Sequence, residues 1–242
     1  MKILLTNDDG IYAEGLSCLI DFAKTLGDVT VVAPLVQQSG KSQAIELHKP
    51  YEVKKTELDG AIKAYSVDST PADCVRFAIL GLKEKYDLVI SGINRGFNIG
   101  DDIAYSGTVG AVYEASRQGV KAIAVSSDLP SFESAKSNIA KVFDFIMENS
   151  LLDKAEILNV NFPMEVKGMR ITKQGYPMYE DDFVCVGDDL YEPRLHCMFR
   201  GTADLTIDTD CVMNGYISIT PLKRGNTDIE AYNELKTAND NM

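Results

Sequence analysis

Apolar positions along this chain keep two alternating rhythms. Ile3-Leu4-Leu5 is a continuous apolar run within Lys2–Thr6, the pattern of a short buried strand. Glu14–Leu26 then carries Leu16, Leu19, Ile20, Ala23 and Leu26 at helical spacing, and Gly27 ends it. "DVTVVAP" predicts the second strand, and the polar run Leu35–Gln43, with Ser39-Gly40, a loop. "YEVKKTEL" and "AIKAYSV" flank Asp59-Gly60 and read as a hairpin. "STPADCVRFAILGL" predicts a helix with Ser69 or Thr70 as cap and Pro71 in its first turn. "YDLVISG" is a buried strand, "SGTVGAVYEASRQG" a helix and "KAIAVSS" another strand. This alternation predicts an α/β fold built on a mostly parallel, doubly wound sheet.

The second half is less regular. "SAKSNIAKVFDFIMENS" predicts a helix, "AEILNVNFP" a strand, and "DIEAYNELK" a short terminal helix; Met169 to Ile219 reads as strand-rich, with hairpin loops. No linker, repeat or low-complexity tract interrupts the chain. We therefore expect one domain over 1–242, with a core at 1–130 elaborated by 131–242. Long hairpins need a partner surface, so the later part is a candidate oligomer interface.

Composition narrows the partners. At 45% hydrophobic and 25% charged, the chain suits a soluble globular protein with a substantial core. Its net charge of -12 disfavours nucleic acid and anionic membranes as partners. An anionic substrate would need local positive charge in the site. The apolar run after Lys2 ends at an acidic pair, unlike a signal peptide, and no run is long enough to span a bilayer. Five scattered cysteines without a CxxC pair suit reduced thiols, and a cytoplasmic location is expected.

In parallel sheets, ligands bind beyond the carboxyl ends of the strands. Asn7-Asp8-Asp9-Gly10 follows the first strand, "QQSGKS" with Ser39 the second, and "SGINRGFNIGDD" with Asn94 and Asn98 lies at the end of the strand in "YDLVISG". "NDDG" alone is a good turn, but the joint placement favours a site. Neighbouring strand residues point to opposite faces, so Asp8 and Asp9 converge only if the chain leaves its pleat; Gly10 allows that bend. Two carboxylates about 4 Å apart repel by roughly 4 kcal/mol at an effective dielectric near 20. A divalent cation removes that repulsion, and Mg²⁺ suits one or two carboxylates with neutral oxygens such as Ser39 and Asn94. The two histidines and the absence of nearby cysteine argue against a zinc centre. "YSGTVGA" adds an anion site, because Ser106-Gly107-Thr108 fall at a helix start, though Ser106 would equally serve as a plain cap. "SGKS" is not a phosphate loop, since GxxxxGK[ST] needs glycine where Leu35 stands. Neither His48 nor His196 lies near a nucleophile elbow. Glu180-Asp181-Asp182 reads as a solvated face, and Asp188-Asp189 as a turn.

With these stretches in view, the sequence resembles the SurE family of stationary-phase survival proteins, metal-dependent nucleotidases. "ILLTNDDG", "VTVVAP", "QSGKS", "DSTPADCV", "DLVISGINRGFNIGDD", "YSGTVGA", "AIAVS", "LNVNFP" and "GYISITPL" carry the resemblance in the family's order. It implies a Rossmann-like core with a C-terminal extension used in homodimer or homotetramer assembly. It implies hydrolysis of nucleoside monophosphates at the 5′ or 3′ position, with Mg²⁺ or Mn²⁺, and leaves short-chain polyphosphate open as a further substrate. Carried over residue by residue, Asp8, Asp9, Ser39 and Asn94 are the metal ligands, one ion per subunit. Asn98 and Ser106-Gly107-Thr108 fall in the stretches associated with phosphate. Arg95, Phe97 and Leu35 depart from the usual family residues. Arg95 and Phe97 border the site, where they bear on substrate preference.

The reaction expected is phosphomonoester hydrolysis. Asp8 is either the general base for a water or the nucleophile; without a DxDxT signature, activated water is favoured. A signalling receiver domain also has an acidic pair after its first strand, but it needs a phosphoacceptor Asp where this chain has Asn94. A catalytically silent nucleotide-binding module is the remaining rival, and phosphate release separates it.

Overall fold

The computed structural model describes residues 1–199 and 202–236. Eleven strands form β1 (Lys2–Thr6), β2 (Asp28–Pro34), β3 (Val53–Thr56), β4 (Lys63–Val67), β5 (Leu88–Arg95), β6 (Ala122–Ser127), β7 (Ile157–Phe162), β8 (Gly168–Ile171), β9 (Tyr179–Gly187), β10 (Leu190–Cys197) and β11 (Tyr216–Leu222). Nine of them make one sheet in the order β3-β4-β2-β1-β5-β6-β7-β11-β8. From β4 to β7 the neighbours are all parallel; β3 is antiparallel to β4, and β11 to β7. β11 and β8 extend the sheet that the first half begins, while β9 and β10 pair only with each other.

The helices are α1 (Glu14–Ala23), α2 (Pro71–Arg76), α3 (Gly107–Arg117), α4 (Glu133–Glu148), α5 (Leu151–Lys154), α6 (Asp208–Met213) and α7 (Ile229–Leu235). Leu16, Leu19 and Ile20 of α1 pack with Ile139, Val142 and Phe143 of α4 against Ile3, Leu5 and Val31. On the other face Val75 of α2 and Val109, Val112 and Ala115 of α3 pack against Leu4, Val32 and Val89. Strand residues of alternating parity thus feed two cores, which explains the unbroken apolar runs. The fold is the doubly wound α/β sheet with antiparallel additions that the pattern predicts.

Four expectations change in detail. α1 ends at Ala23 rather than Leu26, the next three residues forming turns. The predicted helix over 69–82 is α2 followed by a π turn, Phe77–Gly81. β5 does not stop at Gly92 but runs on to Arg95, after a register shift between Ser91 and Asn94 against β6. Asn94 therefore lies within the strand's last residues rather than beyond them. Within the stretch read as strand-rich, Asp208–Met213 is a helix, packed against β11.

The chain runs from β1 to β2 and β4 on one side, then returns to β5 on the other side of β1. The direction of winding reverses between β1 and β5, so a crevice opens where their carboxyl ends diverge. Asp8, Asp9 and Asn94 stand at that reversal.

Candidate active site

Beyond β1 the chain leaves the pleat through a turn closed by Asn7. Its Nδ2 donates to Gly10 O at 2.9 Å, and its Oδ1 accepts from Gly10 N at 3.2 Å. Gly10 has φ of +105°, the left-handed bend expected of it. The loop after β2 closes over this turn, with Gln38 N donating to Asp8 O at 2.7 Å. Gln37 Nε2 donates to the exposed Ser39 Oγ at 2.9 Å. Asp9 Oδ2 accepts from the backbone N of Arg95, next to Asn94, at 3.3 Å. Asn94 Nδ2 donates to Gly96 O at 2.9 Å, leaving its Oδ1 as the free acceptor among the described residues. The segments bearing Asp8, Asp9, Ser39 and Asn94 thus meet at the sheet's reversal.

The start of α3 arrives from the other side. Thr108 Oγ1 donates to Asp8 Oδ1 at 2.5 Å. Ser106 caps the helix, its Oγ accepting from Val109 N at 3.1 Å. The cap serves Val109, and the N–H groups of Gly107 and Thr108 keep the free orientation of a first turn. A side chain at 107 would not fit: its Cβ would lie 2.9 Å from Asp8 Cβ and 3.1 Å from Asp8 Oδ2. Glycine there lets the helix start close directly on the carboxylate.

The electrostatics are one-sided. Burial pushes Asp8 up to about 6; the Thr108 hydrogen bond opposes this and the neighbouring Asp9 charge adds to it. Asp9 is raised as well, chiefly by burial, against the Arg95 backbone hydrogen bond and charge. No ion pair reaches either carboxylate among the described residues: the Arg95 guanidinium lies 3.8 Å from Glu14 and 5.9 Å from the centre of the Phe132 ring. The same residues contain no group of three or more His, Cys, Asp and Glu able to hold a metal. A cation here would depend on two carboxylates, neutral oxygens and water. That oxygen donor set, with two carboxylates and no ion pair among the described residues, fits a hard divalent ion.

Asn98 is tied into the fold by four hydrogen bonds. Its Nδ2 donates to Ser126 Oγ at 2.8 Å, its N to Asn161 Oδ1 at 2.8 Å, and its O accepts from Asn159 and Asn161 at 2.8 and 2.9 Å. It is a buried clamp for the loop. The partners Asn159 and Asn161 were not anticipated, although two amides alternating in the buried run "LNVNFP" were a readable signal. Phe97 packs against Ile99, Met178 and Val212. Two cavities flank the site, one of 280 Å³ beside Asp9, Arg95 and Phe132, the other of 750 Å³ beside Ser106, Tyr113 and Arg117.

A family model described as "Survival protein SurE" matches residues 3–181. The chain belongs to the SurE family. Full-length relatives agree. The 5′-nucleotidase SurE of Natranaerobius thermophilus is 39% identical over 259 residues, covering 97% of both chains. That of Thermoanaerobacter sp. (strain X514) is 41% identical over 254 residues, covering 99% of this chain and 97% of its own. The crystal structure of the SurE protein from Aquifex aeolicus superposes with a TM-score of 0.83 at 33% identity, covering 99% of this chain and 100% of its own. The SurE resemblance read from the motifs is thereby shown along nearly the whole chain.

Proposed function

We propose that this chain is a metal-dependent phosphomonoesterase that hydrolyses nucleoside 5′-monophosphates to nucleoside and phosphate, and 3′-monophosphates as well. The observation that carries the reading is the acidic pair of buried Asp8 and half-buried Asp9, without an ion-pair partner among the described residues, facing the open start of α3. Relatives about 40% identical over nearly their whole length are named 5′-nucleotidases, which supports the same substrate class. Asp8, Asp9, Ser39 and Asn94 would hold one Mg²⁺ or Mn²⁺ per subunit. When bound, such an ion supplies Lewis-acid stabilisation of a phosphate oxygen and favours hydroxide formation near neutral pH.

The chain's own groups do the rest. The N–H groups of Gly107 and Thr108 and the α3 dipole attract phosphate oxygens and stabilise the charge that builds on them during transfer. Ser106 fixes that helix start. Thr108 orients the Asp8 carboxylate, which accepts the proton of the attacking water; direct attack by Asp8 is the alternative. A single turnover in isotopic water decides between them, since label found in Asp8 would exclude the water route.

The hairpin supports a homo-oligomer, a dimer or a tetramer. On β9–β10 one face carries Phe183, Tyr191, Pro193 and Leu195 with a single carboxylate, Asp181, and the opposite face Glu180, Asp182, Arg194 and His196 with Val184. Phe183 and Leu195 are 62% and 70% exposed, so an apolar face stands uncovered on a two-stranded ribbon. The unpaired thiols suit the cytoplasm, and the net charge of -12 disfavours nucleic acid. Among the described residues no helix is long and apolar enough to cross a membrane.

The decisive test is phosphate release from a panel of 5′- and 3′-monophosphates and short polyphosphates, with Mg²⁺, Mn²⁺ or EDTA. Release from AMP or GMP that EDTA and Asp9→Asn abolish is expected. Metal binding without turnover would instead mark a silent nucleotide-binding module.

A further inference from the structure

The loop that leads from β5 to α3 is held from outside. Between Asn94 and Ser106 it contains a 3-10 turn, Gly100–Tyr105, whose end becomes the cap of α3. Three links tie this turn to the C-terminal part of the chain. Gln174 Nε2 donates to Asp101 Oδ1 at 2.8 Å, and Met178 N donates to Asp102 Oδ2 at 2.8 Å. Gly100 N donates to both oxygens of Asp208, at 3.2 and 3.1 Å. Asp101 is exposed and Asp102 half-buried, so water competes for their links. Asp208 is fully buried, and its link excludes water.

Asp208 Oδ1 also accepts from Gly175 N at 2.8 Å and Thr209 N at 2.7 Å. One carboxylate thus joins α6, the segment after β8, and the turn before α3. The approach at Gly100 is close: its φ is +56°, and a Cβ there would lie 2.0 Å from Tyr176 O. Burial opposes a charge at this position and pushes Asp208 up to about 6, while the three backbone donors favour the ionised form. An apolar or amide side chain would be easier to bury. The geometry at Oδ2 supplies a reason for the acid, because that oxygen faces only Gly100.

We propose that Asp208 is a positioning residue for phosphate binding, its buried carboxylate anchoring the Gly100–Tyr105 turn so that Gly107 and Thr108 meet both Asp8 and the substrate phosphate. The inference rests on the functional reading above and adds a residue distant from the reacting atoms. Asparagine at 208 separates its two jobs. The amide oxygen keeps Gly175 and Thr209 and the longer, 3.2 Å branch from Gly100, but the amide nitrogen turns an N–H against the N–H of Gly100, where Oδ2 now accepts the shorter branch at 3.1 Å. Asp208→Asn therefore leaves the C-terminal packing joined and loosens the turn, which loses the charge and the shorter of its two bonds and faces a repelling N–H.

The test uses the full chain with Mn²⁺. In Asp208→Asn, KM for AMP and the calorimetric Kd of inorganic phosphate should rise together by about tenfold, the loss of one charge-assisted bond. kcat should fall as well, by less than KM rises, since the same N–H groups hold phosphate in the ground state and the charge that builds on it in transfer. Asp204→Ala is the control: it removes a local cap on Thr206 in the same region without touching the turn, and should leave both constants unchanged. Hydrogen exchange on the wild-type chain needs no variant, and phosphate should slow exchange of the Gly100 amide. Unchanged phosphate affinity in a folded Asp208→Asn, losses that track its unfolded fraction, or Gly100 exchange indifferent to phosphate overturns the proposal. Wild-type protein that binds phosphate but releases none from AMP refutes the proposed reaction alone; wild-type protein that binds no phosphate overturns both.

Discussion

Gly107→Ala is the sharpest perturbation of the site. The added Cβ would stand 2.9 Å from Asp8 Cβ, 3.1 Å from Asp8 Oδ2 and 3.2 Å from Gln38 O, whereas ordinary contacts begin at 3.4 Å. Something must move by at least 0.5 Å on that reckoning (3.4 minus 2.9). Asp8 cannot retreat freely, because its backbone O is held by Gln38 N at 2.7 Å and its side chain by Thr108 at 2.5 Å. The start of α3 and the carboxylate therefore separate, and both are assigned to the same reacting phosphate. A misplacement of about 1 Å costs on the order of 100-fold in rate, so a shift of about half that size costs on the order of tenfold, or about 1.4 kcal/mol of transition-state stabilisation. The residue has ordinary helical geometry, so alanine itself adds no backbone strain and removes some unfolded-state entropy. The assay is kcat/KM for AMP with Mn²⁺, alongside circular dichroism and a thermal melt. A folded Gly107→Ala with kcat/KM within about threefold of wild type would refute the claim that the contact between Asp8 and the helix start sets the chemistry.

Three further outcomes are expected. Ser106→Ala loses the bond to Val109 N and should destabilise the chain by about 1 kcal/mol in urea melts, with KM for AMP raised. For Asp208 the folded-state pKa is raised from 3.8 to about 6, so the folded protein gains a proton that the unfolded chain releases between those values. Its contribution to stability is fully present below about pH 4 and is lost as pH rises through about 6, a swing on the order of 3 kcal/mol; the stability difference between wild type and Asp208→Asn, measured from pH 4 to 8, should carry that slope, and a flat difference would show that the carboxylate is not strained by burial. Phe183→Asp with Leu195→Asp places charge on the apolar hairpin face and should reduce the mass seen by light scattering, whereas an unchanged assembly would mean that this face is not the interface.

Much of this architecture was legible along the chain because its causes are local. Ile3-Leu4-Leu5 and "DVTVVAP" read as strands since both faces of a covered parallel sheet are apolar. The candidate ligands lay one after another at strand ends, and the winding reversal between β1 and β5 is where such ends diverge. The Thr70 cap and the Pro71 start of α2 were equally visible, and Thr70 does accept from Asp73 N at 3.2 Å. What escaped depends on distant partners. β5 runs past Gly92 because β6 continues to pair with it, and no spacing within β5 announces that. Asp208–Met213 is only six residues long, too short for a period to show. The hydrogen bonds that hold Asn98 were not visible in its loop, because they go to Ser126, Asn159 and Asn161, as many as 63 residues away.

The dependence of the β5–α3 loop on Asn159, Asn161 and Asp208 bears on how the protein can be made and divided. A fragment ending at Ser127 would contain both aspartates, Ser39, Asn94 and all of α3, yet nothing to grip Asn98 from β7 or Gly100 from α6. On the ribosome the same order applies: every reacting group emerges early, and the pocket closes only after residue 208 has left the exit tunnel. A nascent chain would thus carry its acidic pair in unfinished form until α6 has emerged.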